Sequence, residues 1–409
     1  MSKEQAGMVL GLDIGTSKVA AVMAEVLPDG ELRLAGVGTA PSEGLKRGTV
    51  VNIDATVQAI QQAVADAEDM AGRKAPAAYA GFTGAHVIGR NSAAMAIVRD
   101  KEVTPADVAR ALETAKSIEI PKDHKLLLVE PQEFAIDGQE VKEPIGMSGG
   151  RLEVKVHLVT GALAAAENLI KCIRRCGLEV EQIVLNPSAS SLSVLTADEK
   201  ELGVALVDIG AGTTDVAVFL GGAIRHTAVI PLAGDAITHD IAMALRTPSR
   251  SAEELKHDYG CAKVGLADPQ EQFDVQGLGD QSVRRLNRAL LASVIQPRAE
   301  EILSLVLQSI RASGYEDKLH SGLVLAGGTS FMSGMLELAE DVFGRHVRRG
   351  VPSYTGPLME YVANPRSATV MGLVEEARLG YLRNLQAFRQ AGSVQSLFAR
   401  AKSWVISHL

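Results

Sequence analysis

Tryptophan occurs once in the 409 residues, cysteine three times, and aromatic side chains make up only 4%. Cys172, Cys176 and Cys261 build no even disulfide framework, no C-x-x-C pair and no zinc quartet, so they read as bystander thiols of a reducing compartment. Basic residues are not in excess: 41 Lys and Arg stand against 49 Asp and Glu, a net charge of −8. That balance excludes the basic footprint of a nucleic-acid binder. No apolar run approaches the roughly 20 residues of a spanning helix. The start, "MSKEQAGMVLGLDIG", carries Glu4 and Asp13 and does not read as a signal peptide. The expectation is a cytoplasmic protein, unless its end touches a membrane. Familiar phosphate motifs are missing too. There is no Gly-Lys-Ser or Gly-Lys-Thr, and Gly210-Ala211-Gly212 would need glycine at 215, where Asp215 stands.

What is present is a repeat. "VLGLDIGTSK" (9–18) and "VALVDIGAGTTDVAVF" (204–219) each put Asp-Ile-Gly after a run of β-formers and before a returning strand. Asp13 and Asp208 lie 195 residues apart, and an internal duplication is the economical explanation. Between the copies, 53–72 has helical period, with Asp54 as the expected N-cap and Gly72 after the end. Residues 82–160 change character, with strands around one helix, "TPADVARALETAKSI", as in a small α+β insert. Residues 249–320 read as mainly helical apart from a loop-like patch, "LADPQEQFDVQGLGDQS". "GLVLAGGTSFMSGMLELAEDVFG" then reads strand, glycine turn, helix, and a further helix is expected over 366–384.

A strand–turn–strand with glycine at the bend can turn backbone N–H groups toward an anion. Gly15, Thr16 and Ser17 offer amides and hydroxyls, and Lys18 a point charge. Gly210, Ala211, Gly212, Thr213 and Thr214 repeat the offer. Carboxylates at Asp13 and Asp208 would repel bare phosphate, so a hydrated Mg²⁺ between them is the natural partner. A single Asp-Ile-Gly is only a turn after a buried strand. Two copies plus Gly327-Gly328-Thr329 after a third strand point to a nucleotide held between two α/β halves.

This three-part arrangement resembles the actin-like ATPase superfamily: duplicated RNase H-like domains around a nucleotide cleft. By that resemblance the two turns are phosphate loops, and "VLAGGTSFM" is the adenosine loop, with Gly327, Gly328 and Thr329 against the adenosine. Glu253 and Lys256 of "AEELK" share a helix face and would reach ribose and adenine, although an exposed charged face reads the same way. Gly234 joins the implied ATP and Mg²⁺ site. Within the superfamily, "LGVALVDIGAGTTDVAVFLGGAIRHTAVIPLAGDAITHDIAMAL" (202–245), with its Arg225-His226-Thr227 segment, resembles the bacterial cell-division family FtsA, and the resemblance covers nearly the whole chain. It implies subdomain 1A at 1–83 and 162–200, an α+β insert (1C) at 84–161, 2A at 201–246 and 321–360, and 2B at 247–320. A closing 1A helix at 361–382, a linker at 383–392 and a membrane-targeting helix at 393–409 complete it.

The end of the chain supports that reading on its own. In "SVQSLFARAKSWVISHL", Val394, Leu397, Phe398, Ala401, Trp404, Val405 and Leu409 fall on one helical stripe, flanked by Arg400 and Lys402. An interfacial anchor and a helix packed on the body both fit. The family resemblance implies the anchor, at the cytoplasmic face of the inner membrane at the division site. It also implies self-association into filaments, recruitment of later division proteins through 1C, and binding of the FtsZ tail to 2B. Arg284, Arg285 and Arg288 form a candidate basic patch there, or a solvated face. Asn186 stands where chaperone relatives carry a water-orienting Glu. An amide is no carboxylate base, which argues against fast hydrolysis and leaves the catalytic residues unassigned. Two alternatives remain: a pilus-assembly ATPase of the same superfamily, and a small-molecule kinase, for which no base appears beyond Asp13 and Asp208.

Overall fold

The structure is a computed structural model that describes residues 7–75, 77–277 and 283–391, with side chains to residue 385. The expected terminal helix, with Val394, Leu397, Phe398, Arg400, Ala401, Lys402, Trp404, Val405 and Leu409, lies outside the described residues.

Two five-stranded sheets dominate, and they share one topology. In the first, the strand Gly7–Ile14 pairs antiparallel with Lys18–Val26, which pairs antiparallel with Leu32–Pro41. On its other side lie the parallel strands Ala78–Phe82 and Val180–Leu185. In the second, Val204–Ile209 pairs antiparallel with Thr214–Leu220, followed by Ala223–Ile230, and parallel with Leu323–Ala326, followed by Val347–Arg349. The two sheets therefore have the same strand order and directions, which is how a duplicated fold looks after its sequences have diverged. The central strands are apolar on both faces because helices cover both.

The helix Asn186–Val194 leaves the first half and leads toward the second, and the helix Ala368–Ala391 packs across it. Their contact is tight: a Cβ on Gly372 would lie 1.8 Å from the Ala189 carbonyl oxygen. The later helix runs to Ala391, so the stretch expected as a linker is helical through 383–391. Its polar side chains alone hid a helix that contains no proline or glycine breaker after Gly380.

Asn52, not Asp54, caps the helix Ile53–Ala71, its side chain accepting from the Ala55 N–H at 3.1 Å. Asp54 sits in the first turn, where its charge meets the helix dipole and Arg175 at 2.8 Å. The patch read as loop-like, 266–282, holds the strand Gln272–Val275, which pairs antiparallel with Arg284–Asn287 beyond it. The insert is a four-stranded antiparallel sheet with the helix Pro105–Lys116 on one face, around a core that includes Leu112, Leu152, Val154 and Leu158. Among the described residues, no helix is long and apolar enough to cross a membrane.

Candidate functional site: a cleft between two hairpin turns

The two turns close alike. The Gly15 N–H donates to the Lys18 carbonyl at 2.9 Å, and the Gly210 N–H to that of Thr213 at 3.0 Å. Each bend thus presents its middle residues outward, and the two bends face each other. A Cβ on Gly212 would lie 2.5 Å from the Thr16 hydroxyl oxygen, so the tips nearly touch and glycine is required there. Between them is a cavity of about 540 Å³. Asp13, Gly15, Thr16, Ser17, Lys18, Asp208, Gly210, Ala211, Gly212 and Thr213 line it from the hairpins, and Glu253, Lys256, Gly327, Gly328 and Thr329 from beyond.

Two expected residues serve from behind the wall. The Thr214 hydroxyl donates to the Leu232 carbonyl at 2.8 Å. Gly234 starts the helix Gly234–Leu245, and its carbonyl accepts from Lys256 at 3.2 Å. Its lack of a side chain makes room for the Thr329 hydroxyl, which a Cβ would approach to 2.4 Å. That hydroxyl donates to the Gly210 carbonyl at 2.8 Å and ties the third loop to the second turn.

The third loop's glycines play different parts from those expected. Gly327 has φ +83°, and a Cβ there would strike the Ile209 carbonyl oxygen at 2.4 Å. It is glycine for the sake of the strand beneath it. Gly328 has ordinary dihedrals, and its nearest neighbour would be Arg366 at 3.6 Å. Nothing among the described residues demands glycine at 328, which leaves that surface clear for a ligand.

Lys256 is buried and donates to the Thr238 hydroxyl at 2.8 Å and to Glu253 at 2.7 Å. Burial alone would raise the Glu253 pKa, but Lys256 holds it below the usual carboxylate range. Glu253 and Lys256 thus share a face of the helix Ser249–Tyr259, turned to the cleft. Lys18 donates to the Arg366 carbonyl at 2.9 Å, and burial lowers its pKa.

Three buried carboxylates meet in this cleft, one more than the sequence reading named. Asp13 lies opposite Ala20 in its hairpin, whereas Asp208 lies opposite Asp215. Burial raises Asp13 to about 6; Lys18 opposes the rise and Asp208 adds to it. Burial also raises Asp208, moderated by hydroxyl donors from Ser190 at 3.0 Å and Thr369 at 3.1 Å. Asp215 is pushed up to about 8, by burial first and then by repulsion from Asp208 and Asp13, although the Thr83 hydroxyl donates to it. The repeat itself was the available signal for Asp215: aligning the turns places it in the returning strand, where a carboxylate in a β-former run needs a reason.

These groups fit a hydrated divalent cation. The carboxylates resist ionising together, and the buried Asn186 Oδ1 at the cleft wall has no hydrogen-bond partner. Among the described residues no three His, Cys, Asp or Glu side chains converge closely enough to chelate a metal directly. Contact through water is the arrangement such a donor set suits.

The three arginines expected to share a basic patch are separated. Arg284 donates to the Leu245 carbonyl, and Arg285 faces Asp274 at 3.4 Å. Arg288 pairs with Glu271 at 2.8 Å and lines the cleft. Arg284 and Arg285 are neighbours in one strand, so pleating turns them to opposite faces. Arg366, Phe331 and His257 also line the cleft and were not foreseen; Arg366 lies over the Phe331 ring, 5.9 Å from its centre.

The family model for cell division protein FtsA matches residues 205–372, and that for the SHS2 domain inserted in FtsA matches residues 84–160. Cell division protein FtsA of Pseudomonas aeruginosa is 53% identical over 376 residues, covering 91% of this chain and 90% of that one. The FtsA of Neisseria meningitidis is 46% identical, covering 98% and 99%, and that of Escherichia coli K12 is 41% identical, covering 97% of each. In fold, the chain is similar to a PilM–PilN type IV pilus biogenesis complex (TM-score 0.66, 19% identity, 90% of this chain and 98% of that one). It is also similar to MreB5 of Spiroplasma citri bound to ADP (TM-score 0.55, 14% identity, 93% and 98%). The architecture is thus actin-like, with an inserted SHS2 domain.

Proposed function

The chain belongs to the FtsA family of cell-division proteins, and from that premise we propose that it is an ATP-binding scaffold that polymerises on the cytoplasmic membrane and tethers the FtsZ ring there. The observation that carries the nucleotide reading is the pairing of two like hairpins, whose glycine turns and buried carboxylates face one cleft closed by Gly327–Thr329. Asp13, Asp208 and Asp215 would hold Mg²⁺ through water. When bound, the ion supplies positive charge between these carboxylates and the phosphates. Gly15–Ser17 and Gly210–Thr213 cradle the phosphates with backbone and hydroxyl donors. Lys18 adds a cation, and Glu253 with Lys256 forms a rigid wall on the ribose side. Asn186 orients but does not deprotonate, so nucleotide occupancy rather than rapid turnover controls assembly.

In this reading the segment 393–409 attaches the chain through its apolar stripe, as a peripheral protein at the division site. Subdomain 2B receives the C-terminal tail of FtsZ, and the insert contacts neighbouring copies and later division proteins. A pilus-assembly role would share the fold, but the relatives at 41–53% identity are division proteins. A small-molecule kinase would need a carboxylate base on a substrate hydroxyl, and the cleft's carboxylates are engaged around the metal position. Reconstitution tests the proposal: FtsZ filaments should be recruited to anionic liposomes only with this chain and Mg-ATP present. Recruitment with FtsZ lacking its C-terminal tail would overturn the tethering part.

A further inference from the structure

The strand Ala223–Ile230 is the edge of the second sheet, and edge carbonyls need cover. The cover comes from the insert, which grows out of the first half. The Gln132 side-chain amide donates to the Ile224 carbonyl at 2.8 Å, and that of Asn91 to the Arg225 carbonyl at 3.0 Å. His157, 1% exposed, spans the same boundary. Its Nδ1–H donates to the Asn91 side-chain oxygen at 2.6 Å, and its Nε2 accepts from the Thr227 hydroxyl at 2.8 Å. Arg225, almost fully buried, pairs with Glu133 of the insert at 2.6 Å. The fit is close enough that a Cβ on Gly89 would lie 2.3 Å from the Thr227 hydroxyl oxygen. The Arg225-His226-Thr227 segment singled out in the sequence is therefore a docking strip, and nothing in the nucleotide site uses it.

We propose that the insert is a strut: rooted in the first half through its own chain and latched to the second half by Asn91, Gln132, Glu133 and His157, so that the two halves cannot move about the cleft without moving the insert or breaking the latch. Both ring nitrogens of His157, both carboxylate oxygens of Glu133 and both polar atoms of the Asn91 amide are paired, so the latched state is a discrete minimum and not a sliding contact. The surface the insert offers to other proteins then changes with the state of the cleft. This last consequence rests on the nucleotide reading; the mechanical coupling does not.

Hydrogen–deuterium exchange on the full chain separates the two. Thr227→Val removes the donor to His157 at nearly constant volume, and Asn91→Ala, at a residue exposed on the insert, removes a second latch bond with little risk to folding. In nucleotide-free protein both variants should raise exchange about fivefold, the equivalent of one buried hydrogen bond, in the strand 88–97. The cleft turns 13–18 and 208–215 should rise with it. A rise confined to the insert, or none anywhere, overturns the strut. Added Mg-ATP should slow exchange in 88–97 of the wild type and only in the cleft of the variants. If Mg-ATP protects nothing in the wild type, the nucleotide reading falls, while the nucleotide-free comparison still decides the latch.

Discussion

Asp215→Asn should make the nucleotide-free protein more stable and its Mg-ATP complex weaker. Asparagine keeps an acceptor for the Thr83 hydroxyl and nearly the same volume, so the change isolates charge. The folded Asp215 pKa of about 8 lies above the ordinary aspartate value of 3.8. A carboxyl raised in this way holds more protons folded than unfolded. Its contribution is therefore most favourable below the unfolded pKa and worsens as pH climbs through the interval to about 8, where the loss is complete. At 1.36 kcal/mol per unit, the penalty at pH 7.5 is bounded by about 5 kcal/mol. Relaxation and water entry reduce that bound, and a gain of about 1–2 kcal/mol is expected, a Tm rise of a few degrees. Thermal unfolding from pH 5 to 8.5 should show the wild type losing stability with pH more steeply than the variant. Mg-ATP binding by the wild type near pH 7 should release protons, because a cation favours the ionised carboxylates, and calorimetry in buffers of different ionisation enthalpy reads that release directly. A variant less stable than wild type at pH 7.5, with the same pH slope, would refute the reasoning about this carboxylate.

The glycine pair separates fold from ligand: Gly327→Ala should destabilise the protein by at least about 2 kcal/mol through positive φ and the Ile209 clash. Gly328→Ala should leave urea unfolding within about 1 kcal/mol of wild type while weakening ATP at least about tenfold. Steady-state ATP turnover by purified protein should fall well below about 10 per second, the median for enzymes, and a rate at that level would contradict the role assigned to Asn186. Trp404→Glu, which puts a carboxylate on the apolar stripe, should release the protein from liposomes without altering ATP affinity; co-sedimentation equal to wild type would favour a helix packed on the body.

The duplication was legible because each copy repeats a strand, an acidic turn and a returning strand, and strand order follows from such units by simple pairing rules. The insert was legible through its change of pattern, and Glu253 and Lys256 through their spacing on one helix. Other features depend on long-range placement that local pattern does not encode. Arg284 and Arg285 look like a patch in the sequence, yet pleating turns them apart. Gly327 and Gly328 look equivalent, yet one packs on a strand and the other borders the cavity. Arg366 reaches the cleft from a single 3-10 turn, Pro365–Ser367, with no phosphate signature, because the helix that follows it crosses back between the halves. The strand Gln272–Val275 was hidden by the glycines and acidic residues around it, which read as a loop until its partner strand is in place.

The most direct test of the central claim is a calorimetric titration of Mg-ATP into the wild-type chain and into Gly328→Asp, each checked for folding by circular dichroism. The account predicts one saturable site in the wild type and none in the variant, since the new carboxylate would occupy the surface left clear beside the third loop. A folded Gly328→Asp protein that bound Mg-ATP as tightly as wild type, or a wild type with no saturable site, would contradict it.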